Sequence, residues 1–273
     1  MNDTNARIAF VGGGNMASAI IGGLLKQGLP AAQVVVVEPF ADARTRLHEH
    51  FGVTAMEQAG PALAGAGLVV WAVKPQTFKD AAAAVRPHAT GALHLSVAAG
   101  IRSDSIAAWL GTERIVRSMP NTPALVGKGV TALYARAGVN NADKAQVERV
   151  IATTGEHLWM DEERQLDAVT ALSGSGPAYV FYFLEAMVQA GGEMGLSPEQ
   201  ARRLAVGTFA GASELARASS EPLQLLRERV TSKGGTTYAA LTSLEGDKVK
   251  EAFVRALHAA CRRAEELGDE FGR

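Results

Sequence analysis

Two segments of the sequence place glycines directly before a helical pattern, and both could bind an anion. The first is FVGGGNMASAI at residues 10–20, and the second is VTSKGGTTYAAL at residues 230–241. Backbone N–H groups at a helix start have no partner within the helix, and the helix dipole adds positive potential there. The sequence therefore predicts two anion sites, of which the second also carries two threonine hydroxyls.

The first segment fits the pattern G-x-G-x-x-A through Gly12, Gly14 and Ala17. The first glycine permits a tight turn, the second lets the backbone approach a pyrophosphate, and the alanine permits close helix packing. The alternative is a tight turn without a ligand, but the segment follows a predicted strand and precedes an amphipathic helix. We expect a dinucleotide to contact Gly12, Gly13, Gly14, Asn15 and Met16.

The end of the second predicted strand leaves the choice between NAD and NADP open. Glu38 lies there, and its carboxylate could accept hydrogen bonds from both ribose hydroxyls, which would favour NAD. Arg44 follows six residues later, where it either reaches a 2′-phosphate or is a solvated helix residue.

Two further segments follow predicted strands, at the edge where parallel sheets bind ligands. In WAVKPQTF, residues 71–78, Lys74 is either a donor to the cofactor or an exposed loop lysine. In RSMPNTPALVGKG, residues 117–129, two prolines enclose an Asn-Thr pair, which predicts a rigid polar loop. Such a loop either meets substrate and nicotinamide or is a structural turn.

Two other chemistries are disfavoured by residue spacing. LSGSGPAYVF, residues 172–181, contains serines and glycines, but a hydrolase nucleophile elbow requires G-x-S-x-G after a strand. This segment follows a helical pattern, so its glycines are better explained by a helix start and close helix packing. None of the six histidines lies at metal-ligand spacing, and we predict no metal site.

The elements that must position these residues divide the chain into two parts. From Ala6 to about Trp159, continuous apolar strands alternate with helical patterns, which predicts a parallel sheet covered on both faces. After Asp161 only helical periodicity is found. We therefore predict an α/β Rossmann-type doubly wound domain over residues 1–160 and an all-α domain over residues 161–273. The run YVFYFLEAMV is apolar on nearly every side, so its helix is either deeply buried or packed against another subunit.

Composition excludes several partners. The chain has 273 residues, and 27 basic against 28 acidic residues give a net charge of −1, which disfavours nucleic acid. We find no membrane-spanning apolar run and no secretory signal pattern in MNDTNARIAFVGGG. Cys261 is the single cysteine and has no partner for an internal disulfide. We expect a cytoplasmic protein.

In this order, the motifs resemble those of the pyrroline-5-carboxylate reductase family. The matching segments cover nearly the whole chain: FVGGGNMASAIIGGL, AVKPQ, SVAAGI, MPNTPA, TALSGSGPAYVF and VTSKGGTT. The resemblance implies a Rossmann domain followed by a helical dimerisation domain whose helices interlock in a homodimer, often assembling further into a decamer. It also implies reduction of 1-pyrroline-5-carboxylate to L-proline by NADPH, with NADH possible.

The resemblance also implies roles for particular residues. Thr237 would act at the ring nitrogen of the substrate, and the proton would come either from Thr237 with water or from an imine that is already protonated. Backbone groups around the second glycine segment would hold the substrate carboxylate. The substrate-binding residues are then Ser175, Gly176, Ser232, Gly234, Gly235, Thr236 and Thr237. Further cofactor-binding residues are Glu38, Ala72, Val73, Lys74, Pro75, Ala98 and Asn121.

One residue departs from the family pattern, which has proline where this chain has Lys233. Lys233 either adds a charge near an anionic substrate or points to solvent, and its loop lacks the stiffness of proline. Two alternatives to the family remain at this point. One is a related dehydrogenase of a β-hydroxyacid or another cyclic imine, and the other is a dinucleotide sensor without catalytic activity.

Overall fold

The computed structural model describes residues 7–272. Residues 1–6, which begin the predicted dinucleotide-binding domain, and Arg273 lie outside the described residues. The chain forms two compact units, one running to Ser175 and including the segment from Ala260 onward, the other being Gly176–Ala259. The domain boundary expected near residue 160 stays a prediction.

The first unit contains one sheet of eight strands in the order β3-β2-β1-β4-β5-β6-β7-β8. The strands are β1 (Arg7–Val11), β2 (Val34–Val37), β3 (Ala55–Met56), β4 (Ala66–Trp71), β5 (Leu93–Ser96), β6 (Ile115–Met119), β7 (Gly129–Ala135) and β8 (Gly155–Trp159). Strand order reverses at β1, which lies between β2 and β4. The ends of β1 and β4 therefore adjoin the crevice where such sheets bind ligands.

The helices that accompany the sheet are α1 (Asn15–Lys26), α2 (Ala41–Phe51), α3 (Pro75–Val85), α4 (Ser103–Leu110), α5 (Asn141–Ile151) and α6 (Gln165–Val169). Helices α1 to α5 lie between strands, as the sequence predicts, and α6 follows the last strand. The predicted Rossmann-type fold is confirmed, with two differences. Strand β3 was not predicted, and β7 runs antiparallel to β6 although the other neighbouring strands are parallel.

Apolar side chains on both faces of the sheet form the core of this unit. Side chains of a strand alternate between faces, so Phe10 packs on one side with α1 and α5, and Val11 packs on the other with α3 and α4. On the second face Trp71 stacks on Phe78, with ring centroids 4.8 Å apart. Because both faces are covered, the strands carry the continuous apolar runs seen in the sequence.

The second unit is helical, as predicted. Its helices are α7 (Gly176–Glu193), α8 (Pro198–Ala218), α9 (Leu223–Arg229), α10 (Thr236–Gly246) and α11 (Val249–Phe271), of which the last continues into the first unit from Ala260. Ser197 and Gln200 form a capping box at the start of α8. Helix α7 contacts α8 closely at Gly191, where a Cβ atom would stand 2.8 Å from Ala201.

The apolar side chains of α7 are largely exposed in the single chain. Phe181 is 58% exposed and Tyr182 is 70% exposed. Of the two alternatives for this helix, deep burial within its own chain is therefore excluded. No helix within residues 7–272 combines the length and apolar character needed to cross a membrane.

Candidate active site

The glycine turn between β1 and α1 is tightly enclosed on one side. Gly12 has φ +94°, and its N–H donates to the carbonyl oxygen of Val37 at 2.8 Å. A Cβ atom on Gly12 would stand only 2.5 Å from the carbonyl oxygen of Ala72. Both the left-handed backbone and the close approach of β4 therefore require glycine here.

On its other side the same turn is open. Gly14 is the N-cap residue of α1, and within the described chain no side chain caps this helix. No described atom lies within 4 Å of the place where a Gly14 Cβ atom would stand, and Gly14 and Asn15 are exposed. The N–H groups at the start of α1 thus border free space, which fits a dinucleotide pyrophosphate.

Glu38 contacts the glycine turn directly. Its Oε2 accepts a hydrogen bond from the N–H of Gly13 at 2.8 Å, and its Oε1 accepts one from the N–H of Phe40 at 2.9 Å. The residue is only 6% exposed. The carboxylate of Glu38, which we expected to bind ribose, therefore links the end of β2 to the glycine turn.

Arg44 is held at the end of β2 by backbone carbonyls. Its Nη1 donates to the carbonyl oxygens of Glu38 at 2.9 Å and Pro39 at 2.7 Å, and its Nη2 lies 3.6 Å from a carboxylate oxygen of Glu57. The guanidinium is thus positioned beside the predicted adenosine end of the site, whereas a solvated helix residue would make no such contacts.

The segments after β4 and β5 run side by side next to the glycine turn. The N–H of Ala72 donates to the carbonyl of Val11 at 2.8 Å, and that of Val97 donates to the carbonyl of Trp71 at 3.0 Å. Lys74 is exposed at the N-cap of α3, directly before Pro75, and Ala98 is buried. The structure therefore brings residues 72–75 and Ala98 to the edge of the sheet that also carries Gly12.

Asn121 joins the loop after β6 to the Ser-Gly-Ser-Gly segment. Its Nδ2 donates to Ser173 Oγ at 3.1 Å, and its Oδ1 accepts from the N–H of Val130 at 2.9 Å. Residues Thr170–Gly174 form a turn of π-helix, in which the N–H of Ser175 donates to the carbonyl of Thr170 at 2.9 Å. The sequence did not predict this turn.

The second glycine segment lies in the second unit and forms the start of α10. Gly234 has φ +74°, and the N–H of Gly235 donates to the carbonyl of Ser232 at 3.0 Å. Thr236 and Thr237 occupy the first two helical positions and are exposed, and Lys233 before them is also exposed. In the part of the chain that is described, no side chain caps this helix, so its N–H groups can receive an anion.

A largely buried ion pair joins β6 to the segment before α6, and no sequence pattern predicted it. Arg117 on β6 donates to Glu163 Oε1 at 2.6 Å, and Glu163 also accepts from the N–H and Oγ of Ser103, both at 2.6 Å. Glu163 therefore caps α4 from 60 residues away. Burial raises the pKa of nearby Asp167, and the guanidinium groups of Arg117 and Arg102 oppose that rise.

His94 is buried within the central strand β5 and is held neutral. Its Nδ1 accepts a hydrogen bond from Trp71 Nε1 at 3.0 Å. Burial, with a smaller contribution from the positive charge of Arg114, lowers the pKa of His94 to about 4. This histidine is therefore a structural acceptor at neutral pH and not a proton donor.

Within residues 7–272, no cluster of three or more His, Cys, Asp or Glu side chains is arranged to hold a metal ion.

A Rossmann-type sheet with an open glycine turn, joined to a helical unit with apolar side chains exposed, defines a dinucleotide-dependent oxidoreductase. Residues 7–100 match the family described as NADP oxidoreductase coenzyme F420-dependent, and residues 163–267 match the family described as pyrroline-5-carboxylate reductase dimerisation.

Similar proteins point to one family. A pyrroline-5-carboxylate reductase from Pseudomonas aeruginosa is 45% identical over 97% of this chain and 98% of its own length. The solved structure of a pyrroline-5-carboxylate reductase from Coxiella burnetii has a TM-score of 0.89 and 36% identity, covering 96% of this chain and 98% of that one. A pyrroline carboxylate reductase from Plasmodium falciparum, solved with NADP bound, has a TM-score of 0.87 and 30% identity, covering 97% of this chain and 99% of that one.

The chain therefore belongs to the pyrroline-5-carboxylate reductase family. Members of this family reduce the C=N bond of 1-pyrroline-5-carboxylate to give L-proline with a nicotinamide dinucleotide, so the predicted reaction and class of cofactor are confirmed. The alternatives of a β-hydroxyacid dehydrogenase and a sensor without catalytic activity fall away. The dimerisation region indicates that the chain forms a homo-oligomer.

Proposed function

We propose that the chain reduces 1-pyrroline-5-carboxylate with a cofactor bound at the glycine turn and the neighbouring strand ends, and with the substrate carboxylate bound at the start of α10 of a partner subunit. The observation that carries this proposal is the glycine turn, which is closed by β4 at Gly12 and open at Gly14. The N–H groups of Gly14, Asn15 and Met16 at the start of α1 bind the cofactor pyrophosphate, and Gly12 and Gly13, whose N–H groups donate to Val37 and Glu38, shape the turn beside it. Residues 72–75 and Ala98 lie alongside the nicotinamide, with Lys74 as a donor.

NADPH is the preferred reductant and supplies a hydride to the C=N bond. The carboxylate of Glu38 accepts hydrogen bonds from the N–H groups of Gly13 and Phe40, so it accepts less readily from a ribose 2′-hydroxyl. Arg44 places a positive charge at the same strand end, held by two carbonyls. A 2′-phosphate would form a charge-assisted contact with this guanidinium, which NADH cannot make.

The substrate carboxylate binds at the start of α10. Ser232, Gly234, Gly235 and Thr236 offer N–H and hydroxyl groups there, and the dipole of the helix favours a negative charge. Thr237, one residue into the helix, places its hydroxyl group at the ring nitrogen, where it orients the imine. Its hydroxyl can also relay a proton from water when the imine arrives unprotonated.

Ser175 and Gly176 bind the substrate ring from the other side. Ser175 follows the π turn and Gly176 begins α7. Because the N–H of Ser175 donates to the carbonyl of Thr170, Ser175 contributes its hydroxyl group. No histidine or carboxylate in these motifs acts as a general acid, and alignment of the two reactants is the main contribution of the protein.

In the working enzyme, two chains form a dimer through the exposed apolar face of α7, and dimers assemble into a decamer in the cytoplasm. The exposed Phe181 and Tyr182 support the dimer, because apolar patches of this kind mark protein interfaces. The partner subunit supplies the α10 loop, so a monomer is inactive.

The assay uses purified protein with 1-pyrroline-5-carboxylate and either NADPH or NADH, and follows the absorbance of the reduced cofactor together with formation of L-proline. We expect oxidation of both cofactors, faster with NADPH at limiting concentration. A cyclic imine carboxylate with a six-membered ring serves as comparison substrate and should react more slowly. Absence of oxidation with either cofactor would refute the proposal.

A further inference from the structure

The side chain of Asn121 connects three segments of the first unit. It follows β6, donates from Nδ2 to Ser173 Oγ at 3.1 Å and to the Ser173 carbonyl oxygen at 3.4 Å, and accepts from the N–H of Val130 at 2.9 Å. An asparagine amide has two N–H donors and one carbonyl acceptor. Both atoms of the amide are thus bonded to the protein, and a cofactor contact that turned the amide away would break the link between Nδ2 and Ser173.

The segment that Asn121 holds has an unusual backbone. Residues Thr170–Gly174 form a π-helical turn, and such turns are short, rare and often found at functional sites. The turn lies directly against the end of β6, since a Cβ atom on Gly174 would stand 2.3 Å from Met119 Cε. Ser175 comes next in the chain, so any movement of the turn also moves Ser175.

We propose that Asn121 is a positioning residue for the imine substrate and not a cofactor contact. It fixes Ser173, and through the π turn it sets the place of Ser175. This inference rests on the proposed function, in which Ser175 binds the substrate ring. The specific consequence is that loss of the Asn121–Ser173 bond weakens binding of 1-pyrroline-5-carboxylate while leaving the affinity for NADPH unchanged.

Asn121→Asp is the informative variant. An aspartate of the same shape still accepts from the Val130 N–H and can accept from the Ser173 hydroxyl group, but it cannot donate to Ser173, and its negative charge repels the Ser173 carbonyl oxygen. We expect the KM for 1-pyrroline-5-carboxylate to rise about tenfold, the fold-change typical of one lost hydrogen bond to a displaced group. We expect kcat to fall less than the KM rises, and the Kd of NADPH, measured by fluorescence titration, to stay within about twofold.

A second variant and a control make the result specific. Ser173→Ala removes the Oγ acceptor, and we expect a smaller rise in KM. Because Ser173→Ala changes a contact that Asn121→Asp also changes, the two effects on the KM should not multiply in the double variant. Asn141→Asp introduces the same change at an exposed position at the start of α5, and it should alter neither constant.

Two outcomes would overturn the inference. One is a large rise in the Kd of NADPH with an unchanged KM, which would make Asn121 a cofactor residue. The other is multiplication of the two single effects in the double variant, which would mean that the residues act separately. Ser175→Ala tests the proposed function independently. If Ser175→Ala leaves the KM unchanged, Ser175 has no substrate role and the proposed function is wrong at this residue. The contact between Asn121 and Ser173 is tested separately, because the melting temperatures of their single and double variants should not be additive.

Discussion

The two units of this chain differ in where their apolar side chains lie. In the first unit, large side chains such as Phe10, Trp71 and Phe78 are fully buried on the two faces of the sheet. In helices α7 to α10, the residues buried within the described chain are small, namely Gly191, Ala201 and Ala205. The first unit therefore has its own core, whereas the helices of the second require another subunit to cover them.

The two predicted anion sites differ in the same way. The turn at Gly12 is enclosed by β4 and joined to β2 through Glu38, so neighbouring elements of its own unit fix its geometry. At the start of α10, no described atom lies within 4 Å of a Cβ atom placed on Gly234. A glycine motif in a sequence therefore does not reveal whether its own chain completes the site.

The largest expected effect comes from charging the exposed face of α7. Phe181→Glu would bury a charge without a partner in the dimer interface, at a cost of about 3–5 kcal/mol. We expect sedimentation velocity to detect monomers and activity to be lost, while NADPH still binds to the first unit within about twofold of its original Kd. Leu158→Lys, which charges an exposed residue on strand β8 of the first unit, is the control. A Phe181→Glu variant that remains oligomeric would contradict the view that another subunit covers α7.

The next largest effect concerns the enclosed glycine turn. Gly12→Ala combines a strained left-handed backbone with a contact of 2.5 Å to Ala72, for which we expect a cost of about 3 kcal/mol in stability. NADPH binding should be lost and the melting temperature lowered. Gly14→Ala is the matched control, because its φ is −73° and its surroundings are open. Gly14→Ala should have the melting temperature of the wild type and only weaken the binding of NADPH. Equal melting temperatures for Gly12→Ala and Gly14→Ala would disprove the predicted strain at Gly12.

Much of the fold was predictable because its determinants are local. Continuous apolar runs such as VVVV at Val34–Val37 predict buried strands, and proline and serine mark the start of α8 at Pro198. Strand β3 was missed because two residues, Ala55 and Met56, cannot form a periodic pattern. The antiparallel direction of β7 was missed because an apolar run predicts burial but does not define strand direction.

The site was predictable to a smaller extent. The roles of Gly12 and Gly14 could be predicted, because the G-x-G-x-x-A pattern reflects the backbone conformations that the turn requires. The contact of Glu38 with Gly13 spans 25 residues, and that of Asn121 with Ser173 spans 52. Such contacts depend on how strands and turns meet in the folded chain, and the local sequence carries no signal for them.

A third prediction uses the buried core of the first unit. His94 has a folded pKa of about 4 against an ordinary value of 6.5, so the unfolded chain binds its proton more readily. The contribution of His94 to stability is fully present above pH 6.5 and is lost as the pH falls towards 4, by about 3 kcal/mol in total. Denaturant unfolding at several pH values should show this loss.

His94→Asn separates this effect from the titration of carboxylates. The asparagine carbonyl can still accept from Trp71 Nε1 but does not titrate, so the decline of stability between pH 6.5 and pH 4 should be shallower. His48→Asn, on the exposed face of α2, should leave the wild-type decline unchanged. Identical pH profiles for wild type and His94→Asn would contradict the prediction.

The start of α10 is tested by removing one hydroxyl group. Thr237→Ala should lower kcat by about 30-fold, or about 2 kcal/mol, because the imine nitrogen loses its orienting contact. Binding of NADPH should not change, since the glycine turn belongs to the first unit. The control is Thr242→Ala on the same helix, where the hydroxyl group donates to the Tyr238 carbonyl at 2.9 Å. Unchanged turnover in Thr237→Ala would remove this residue from the mechanism.

The smallest expected effect is confined to the first unit. It tests whether this unit by itself discriminates between NADPH and NADH. Arg44→Ala removes the guanidinium beside the end of β2, and the Kd of NADPH should rise about tenfold while that of NADH stays within about twofold. Arg46→Ala, which removes an exposed charge from the same helix, should change neither value. An equal rise for both cofactors would mean that Arg44 only holds the backbone of Glu38 and Pro39. Because both cofactors share the pyrophosphate, only a difference between them identifies a contact with the 2′-phosphate.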